Sequence, residues 1–549
     1  MRVLVLFLII PFSFIFAQEN ISDNYIIKGD STFLPFQRLD TLKFSFASED
    51  SLTKEMLKNY VTLKKTLSDA NIVIFTKVDD FENYNRLENQ KLILINSENI
   101  IPNKDAYIEV EIKNNISKSK AIQKMFGGSF GKNTDGNYRF GFGRAEDVGI
   151  DYNKLSIKID SIANHSIELG VAPGIQVLVA RHGVVVFHKT YGYHTYDSIK
   201  KVEKNNIYDW ASVSKVTSAL PALMKLHDED KFDLDATLGT YLPYFKRGNK
   251  KDLTFRRILS HNAGLKPWIP YWKTTLRRKG SYRWWTLSNE KGKHYQTEIS
   301  PGLYIHDNYQ KKIYQMIRKS EVNDEYHPGY KYSGLSFYLQ PGIVETITGD
   351  NFQDYLSSNF YKKLGANTVG YNPLERFDIE RIIPTEKDTI FRHTLLHGTV
   401  HDEGAAMMGG VSANAGLFGT TLDLAKIFQM YLWKGKYGGE QYITANTIEK
   451  FTCAHYANEG NKRGLGFDKP KLEDRENDSC SKDASMASFG HAGYTGTFVW
   501  ADPDSGILFV FMSNRVYPTR NNRKIYKYNV RPSMHQAIYD AIIDGELGE

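Results

Sequence analysis

Two predicted β-hairpins, one near each end of the region from residue 145 onwards, constrain the fold of this chain more than any other feature. A predicted helix lies on the outer side of each hairpin. The first hairpin joins residues 174–180 to 184–190 across His182-Gly183 after a helix at 153–169, and the second joins 497–501 to 507–512 before a helix at 534–543. We therefore expect an α/β sandwich whose sheet takes strands from both ends of this region.

The region before residue 145 has a different pattern, in which short apolar predicted strands alternate with predicted helices. Predicted strands lie at 42–47, 71–78, 91–95 and 107–112, and predicted helices at 51–67, with a Ser cap, and at 119–126. This βαβ pattern is typical of a small α/β layer. The Gly-rich residues 127–143 read as a linker or loop. We divide the chain into residues 1–17, a small α/β domain at 18–144 and a larger domain at 145–549.

The first 17 residues have the pattern of a secretory signal peptide. Arg2 precedes a nearly apolar run at residues 3–16, and Ala17 is a small residue at a plausible cleavage point. The run is shorter than the roughly 20 residues of a membrane span. We expect a periplasmic or secreted protein with no stable membrane span.

In an oxidising compartment Cys453 and Cys480 could form a disulfide, and two free thiols are an equally weighted alternative.

The charge pattern argues against nucleic-acid binding. The formal net charge of +7 is interspersed along the chain, and Arg277-Arg278-Lys279 is the nearest thing to a basic run. We read that run as solvated surface, with modest attraction for anionic carbohydrate or cell-wall polymer as the open alternative. Gly131-Lys132 lacks the flanking residues of a phosphate-binding loop.

The segment Trp210-Ala-Ser-Val-Ser-Lys215 is the first candidate for chemistry. On a helix, Ser212 and Lys215 project from the same face, one turn apart. A serine hydroxyl becomes a good nucleophile when a neighbouring base takes its proton, and a lysine amine can act as that base. The alternative is a Ser cap followed by a solvated Lys.

Two later motifs favour the catalytic reading. Tyr332-Ser333-Gly334 lies before a predicted helix, and His491-Ala492-Gly493-Tyr494 begins near a predicted strand. The order Ser-x-x-Lys, then Tyr-x-Asn, then Lys/His-x-Gly resembles the class C β-lactamases and the penicillin-binding-protein-like peptidases and esterases, over residues 150–545. That resemblance implies a β-lactamase-like antiparallel sheet with a helical subdomain.

The resemblance also implies roles for individual residues. Ser212 would be acylated, Lys215 would activate it, and Tyr332 would shuttle a proton to the leaving group. His491 would place donor hydrogens near the substrate or Tyr332. The backbone N–H groups of Ser212 and Tyr494 would form an oxyanion hole. The implied substrate-binding residues are Ser333, Gly334, Ala492 and Gly493. No cofactor or metal is expected.

Two departures from the family pattern shape the expected function. Gly334 stands where the family has Asn or Asp, and His491 stands where Lys is commoner. His at that position favours the peptidase or esterase branch over a dedicated β-lactamase. We expect an exported serine acyl-hydrolase acting on a cell-wall D-amino-acid peptide or related amide. A carboxylesterase and a non-catalytic cell-wall binding or sensing protein are the alternatives.

Three remaining features have weaker readings. His393, His397 and His401 are spaced four apart, as metal ligands on a helix would be, but Gly398 makes such a helix doubtful. The aromatic-rich residues 266–327 are either a substrate-lining lid or an insertion with its own aromatic core. Residues 28–35 and 121–128 resemble pieces of the C-terminal domain of family 3 glycoside hydrolases; without the barrel, this piece is not expected to cleave sugars.

Overall fold

The computed structural model describes residues 18–20, 25–28, 34–97, 107–112, 115–132, 135–323 and 330–543. The chain divides into two compact units, residues 1–128 and residues 129–549. The expected signal peptide lies outside the described residues. Within the described ranges, no helix combines the length and apolar character that a bilayer crossing requires.

The N-terminal unit is a sheet with helices between its parallel strands. Its strands are β1 (Gln18–Asn20), β2 (Tyr25–Lys28), β3 (Phe44–Phe46), β4 (Ile72–Phe75), β5 (Lys91–Asn96) and β6 (Ile108–Ile112), and its helices are α1 (Ser51–Lys58), α2 (Val78–Glu82) and α3 (Asn115–Met125). The strand order is β1-β2-β6-β5-β4-β3. Strands β3 to β6 pair in parallel, and β2 pairs antiparallel with β1 and β6. The predicted βαβ layer is confirmed.

Helix α1 differs from the expectation at both ends, because it ends at Lys58 and not at residue 67, and its cap is not a serine. The cap of α1 is Asp50, whose carboxylate accepts a hydrogen bond from the Thr53 backbone N–H at 3.0 Å, and Ser51 is already inside the helix. Asp is as good a cap as Ser, because both offer an oxygen to the unpaired N–H groups of the first turn.

The larger unit contains the remaining described elements. Its strands are β7 (Gly141–Phe142), β8 (Gly174–Arg181), β9 (Val184–Gly192), β10 (Tyr208–Asp209), β11 (Leu287–Ser288), β12 (Thr297–Ser300), β13 (Leu303–Ile305), β14 (Glu386–Lys387), β15 (Leu395–Leu396), β16 (Phe418–Gly419), β17 (Lys436–Tyr437), β18 (Glu440–Gln441), β19 (Phe489–Ala492), β20 (Phe498–Asp502) and β21 (Ile507–Ser513). Its α-helices are α4 (Tyr152–Glu168), α5 (Leu220–Asp228), α6 (Leu238–Tyr241), α7 (Phe255–Leu259), α8 (Tyr309–Lys319), α9 (Gln340–Thr348), α10 (Phe352–Leu356), α11 (Lys362–Leu364), α12 (Glu403–Ala406), α13 (Thr421–Leu432), α14 (Ala445–Thr452), α15 (Lys524–Lys527) and α16 (Val530–Asp540).

The main sheet joins both ends of this unit, as the hairpins predict. Its order is β19-β20-β21-β8-β9-β7, and β21 pairs antiparallel with β8 over seven residues. The expectation of a purely antiparallel sheet is wrong at one edge, because β7 pairs in parallel with β9. The chain reaches β9 from β7 through α4 and β8, and a crossover of that length permits a parallel neighbour.

Both faces of this sheet are covered. Along β21, the alternating residues Ile507, Phe509 and Phe511 belong to the core under α4 and α16, and their neighbours Leu508 and Val510 belong to the core under α5 and α13. Successive side chains of a strand point to opposite faces, so a strand that is apolar throughout needs cover on both sides. The predicted sandwich is confirmed.

Three buried histidines make the fold sensitive to acid. Burial lowers the pKa of His535 and of His491 to about 3 and holds that of His261 well below its ordinary value. In the unfolded chain a histidine binds its proton near pH 6.5. Below that pH the unfolded state therefore binds more protons than the folded state, and folding stability falls as the pH falls.

We expect His535→Gln to weaken this dependence, with Gln keeping an acceptor for the Ser481 backbone N–H that His535 Nδ1 binds at 3.0 Å. Urea unfolding between pH 7.5 and 4.5 measures it. The loss of stability below pH 6.5 should be smaller in the variant by about 1.4 kcal/mol per pH unit. The control is His165→Gln on the exposed surface of α4. Parallel pH profiles for wild type and His535→Gln would contradict the expectation.

Candidate active site

A strained turn precedes the predicted nucleophile. Ala211 has a φ of +46°, a left-handed conformation that non-glycine residues seldom adopt. The buried Asp209 carboxylate holds this turn: one oxygen accepts from the Ala211 N–H at 2.8 Å and the other from the His401 N–H at 2.7 Å. Burial raises the pKa of Asp209, against the opposing effect of these two hydrogen bonds. The backbone before Ser212 is therefore fixed from two sides.

The chain is helical from the Ser212 motif onwards, as the Ser-x-x-Lys spacing predicts, but the first turns are irregular. A 3₁₀ turn at Ala211–Val213 leads into a π-helical turn at Lys215–Ala219 and then into α5. Pro221 has no N–H, so it cannot bond the Thr217 carbonyl four residues earlier. That carbonyl instead accepts from the Tyr361 hydroxyl at 2.8 Å. Pro221, together with Tyr361 as the new partner of the Thr217 carbonyl, accounts for the π-helical turn next to the site.

Ser212 and Lys215 lie together as the spacing predicts. Lys215 is 2% exposed, and its Nζ donates to Ser212 Oγ at 3.0 Å and to the Asn414 carbonyl at 2.7 Å. Its Nζ also lies 5.4 Å from the ring centre of Phe337. Among the described residues, no carboxylate forms an ion pair with Lys215. The reading of Ser212 as a cap with a solvated lysine is wrong, because this amine is buried.

Sequence reasoning missed the role of Asn414. It lies in the Gly-rich stretch 409–418, where Ser412 Oγ donates to its side-chain oxygen at 2.5 Å. The Leu417 N–H donates to Ser214 Oγ at 3.0 Å, which ties this stretch to the nucleophile turn. The contribution of Asn414 comes through its backbone carbonyl, and any residue type supplies one. No pattern of side chains could have indicated it.

Tyr332 lies beside Lys215, with its ring centre 5.6 Å from Nζ. The Tyr332 segment is held by the loop after α7. Ser333 Oγ donates to the Lys266 carbonyl at 2.6 Å, and the Ser333 N–H donates to His261 Nδ1 at 3.2 Å. The His261 ring packs 4.5 Å from that of Tyr332. His261 is therefore a positioning residue of the second motif.

Gly334 leaves space at the site. A Cβ atom at this position would meet no heavy atom of the structure within 4 Å, and its φ of −87° suits any residue. The Asn or Asp side chain that the family pattern places here would therefore fit. Its absence is a property of this sequence and not a requirement of the backbone.

His491 is buried at the third motif, with its ring centre 6.2 Å from that of Tyr332. Its Nδ1 lies 2.8 Å from the Ala492 carbonyl, so Nδ1 carries the hydrogen and Nε2 is an acceptor. Among the described residues, Nε2 has no hydrogen-bond partner. Burial, followed by the charges of Arg463 and Lys215, holds the pKa of His491 at about 3. The ring is therefore neutral. We expected His491 to donate a hydrogen towards the substrate or Tyr332, but its free nitrogen, Nε2, is an acceptor.

The turn that contains Tyr494 packs against the nucleophile turn. Thr495 Oγ1 donates to the Asp209 carbonyl at 2.8 Å and Thr497 Oγ1 donates to the Trp210 carbonyl at 3.0 Å. A Cβ on Gly493 would lie 2.6 Å from the Trp210 carbonyl oxygen, so this close approach needs glycine. The segments of Ser212 and Tyr494 are thus adjacent. The pairing of their N–H groups as an oxyanion hole stays a prediction.

Arg463 is a second residue that sequence reasoning missed. It is buried, it forms an ion pair with Asp468 at 3.1 Å, and its guanidinium carbon lies 5.7 Å from the ring centre of Tyr332. Its position in the chain, just before Gly464, gives no catalytic signal. The structure therefore adds a fixed positive charge to the site.

The spaced histidines do not converge on a metal. His397 Nε2 lies 2.7 Å from the Ile382 carbonyl, and His401 Nε2 lies 2.8 Å from the Glu386 carboxylate. In the part of the chain that the structure describes, no group of three or more His, Cys, Asp or Glu could hold a metal ion.

The two cysteines are separate thiols, with Cys453 exposed and Cys480 buried.

Comparison with known proteins places this site in a family. The sequence profile of the Beta-lactamase family matches residues 159–530. A protein of Salmonella enteritidis PT4 named "Putative D-alanyl-D-alanine carboxypeptidase" is 30% identical over an alignment of 438 positions, which covers 73% of this chain and 92% of that protein. A protein of Salmonella schwarzengrund with the same name is 31% identical over the same shares.

A solved structure shares the fold. EstCE1, described as a hydrolase with promiscuous acyltransferase activity, superposes with a TM-score of 0.50 at 17% identity, over 70% of this chain and 99% of that protein. At this identity the likeness concerns the fold alone. Together with the buried Ser212–Lys215 pair, the profile and the Salmonella relatives show that the chain is a serine hydrolase and belongs to the β-lactamase family.

Proposed function

We propose that this protein hydrolyses an amide bond of a D-amino-acid peptide from the cell wall, through an acyl-enzyme on Ser212. The observation that carries the proposal is the 3.0 Å contact between Lys215 Nζ and Ser212 Oγ. The name of the Salmonella relatives supports the substrate class. The resemblance of residues 1–17 to a signal peptide supports export to the compartment that holds such a substrate.

The first step is acylation. Ser212 Oγ forms a bond to the substrate carbonyl carbon while Lys215, in its unprotonated form, takes the hydroxyl proton. The Asn414 carbonyl, which binds another Lys215 hydrogen, orients the amine for this transfer. The carbonyl oxygen becomes an oxyanion, and the N–H groups of Ser212 and Tyr494 would stabilise it.

The second step releases the amine. Tyr332 gives its phenolic proton to the leaving nitrogen as the C–N bond breaks, and the proton on Lys215 replaces it. Lys215 Nζ lies 5.6 Å from the Tyr332 ring centre, and this relay requires the Tyr332 hydroxyl to come within hydrogen-bond distance of Nζ when substrate is bound. Water then attacks the acyl carbon and gives a proton to Lys215. The bond from Ser212 Oγ to the acyl carbon breaks, and Lys215 returns the proton to Ser212 Oγ, which restores the free serine.

Carboxylesterase activity is the second candidate, and two observations favour it. Gly334 provides no amide to bind a peptide backbone, and the neutral His491 provides no positive charge for a terminal carboxylate. An ester substrate depends less on the missing amide and the missing positive charge, since its alkoxide leaves more readily than an amine.

For the N-terminal unit, the resemblance to the family 3 glycoside hydrolase piece supports a scaffold or binding role.

The acyl-enzyme can be observed directly. Incubation with a small panel of D-Ala-D-Ala peptide, penicillin and p-nitrophenyl acetate should add the mass of one acyl group to the intact chain. The adduct should map to Ser212 and be absent in Ser212→Ala, because that residue supplies the attacking oxygen. Intact-mass spectrometry followed by peptide mapping measures both.

The matched control is Ser218→Ala, on the same helix, whose hydroxyl donates to the Ser214 carbonyl. It should keep the adduct. A wild-type chain that gains no mass from any of the three compounds would contradict the proposal and favour the non-catalytic alternative. An adduct from the ester alone would select the esterase.

The space at Gly334 predicts the outcome of a gain-of-function change. Gly334→Asn should fold, with a melting temperature within about 3 °C of wild type, because the new side chain meets open space. Its amide should bind a peptide substrate and raise the ratio of peptide to ester kcat/KM about tenfold, the effect of one good hydrogen bond.

Steady-state kinetics on both substrates measures this ratio. Gly334→Ala is the control, since it removes the glycine without adding an amide and should leave the ratio unchanged. Equal ratios for Gly334→Asn and Gly334→Ala would show that the missing amide does not determine substrate choice.

A further inference from the structure

The expectation of interspersed charge is wrong for one segment, which holds the whole excess of positive charge. Between Lys273 and Lys319 there are eleven Lys and Arg and three Asp and Glu, which leaves an excess of +8 in a protein whose whole formal charge is +7. The rest of the chain is therefore close to neutral. In the structure this segment forms the sheet β11-β13-β12 and helix α8.

A pocket of about 270 Å³ opens between α8 and the residues before β11. Three cationic side chains line it, namely Arg283, Lys312 and Lys319, together with Trp285 and Tyr309, and none of its lining residues is acidic. The pocket is smaller than the roughly 300–1,000 Å³ of sites for drug-sized ligands. It therefore suits a single ring with its substituents.

The three cations are not neutralised by the protein. Across the described ranges, neither Arg283 nor Lys312 nor Lys319 forms an ion pair, although Lys266 nearby in the chain pairs with Glu321 at 3.1 Å. Arg283 Nε donates to the Leu276 carbonyl at 2.9 Å, which fixes the guanidinium at the pocket. Such a group of unpaired cations attracts an anion, and the attraction is strongest at low salt.

Trp285 gives the pocket an apolar surface. The residue is 43% exposed, its ring centre lies 5.6 Å from that of Trp284 at a right angle, and the guanidinium carbon of Arg283 lies 5.5 Å from the ring centre, so cation and ring are side by side in the pocket. Exposed aromatic rings offer flat area to a ligand ring at small entropic cost. A cationic pocket with one such ring matches a saccharide that bears a carboxylate or phosphate. We propose that this pocket binds an anionic saccharide residue.

Helix α8, which forms one wall of the pocket, belongs to the same unit as the catalytic motifs. Helix α8 packs against the 3₁₀ helix Leu335–Tyr338, which follows Gly334 directly. The binding itself does not depend on the acyl-transfer chemistry at Ser212.

The test compares matched sugars on the full chain. Titration calorimetry at about 20 mM salt measures binding of glucuronate, glucose 6-phosphate, glucose and inorganic phosphate to the Ser212→Ala variant. Glucuronate or glucose 6-phosphate should bind at least tenfold more tightly than glucose, and the tighter of the two assigns the anion. Lys312→Gln and Trp285→Leu should each weaken that binding at least fivefold.

Two neighbours that do not line the pocket serve as controls. Lys311→Gln and Trp284→Leu should change the affinity less than twofold. Equal binding of glucuronate and glucose, equal binding of inorganic phosphate and glucose 6-phosphate, or equal losses in Lys311→Gln and Lys312→Gln would overturn the proposal. Equal losses would show that the surface charge acts as a diffuse field instead of a site.

Discussion

The buried carboxylate of Asp209 is the constraint on which the active site depends. It binds the backbone of Ala211 on one side and of His401 on the other, and so fixes the strained turn before Ser212. The carbonyls of Asp209 and Trp210 also accept hydrogen bonds from Thr495 and Thr497. Segments that are far apart in the chain meet at these two residues. Because a buried carboxylate is costly without partners, each of these bonds also stabilises the arrangement.

The electrostatics of the site follow from this compact arrangement. Lys215 is buried against a backbone carbonyl and two aromatic rings, and in the described structure its amine has no carboxylate partner. Arg463 carries the nearby fixed charge, and Asp468 balances it. Burial, followed by the charges of Arg463 and Lys215, lowers the pKa of His491 and keeps its ring neutral. The third motif thus presents an acceptor nitrogen in a place where a lysine would present a positive charge.

Much of this could be predicted from residues alone. The two hairpins indicated a sheet shared by both ends of the larger unit, because strand alternation and turn residues are local signals. The spacing of Ser212 and Lys215 placed them on one helix face, and the order of the Tyr332 and His491 motifs indicated the family. The parallel edge strand β7 escaped prediction, since two residues carry no periodicity. The irregular turn after Lys215 depends on Pro221, and its tyrosine partner lies far away in the chain.

The sequence by itself determined which residues can do chemistry here and in what order they occur, because nucleophile, base and phenol are properties of side chains. Only the tertiary structure decided how they act. The Asn414 carbonyl, the Arg463 guanidinium and the open space beside Gly334 come from distant segments brought together by packing. The protonation state of His491 has the same origin, since burial and neighbouring charge set it and neither is visible in a linear pattern.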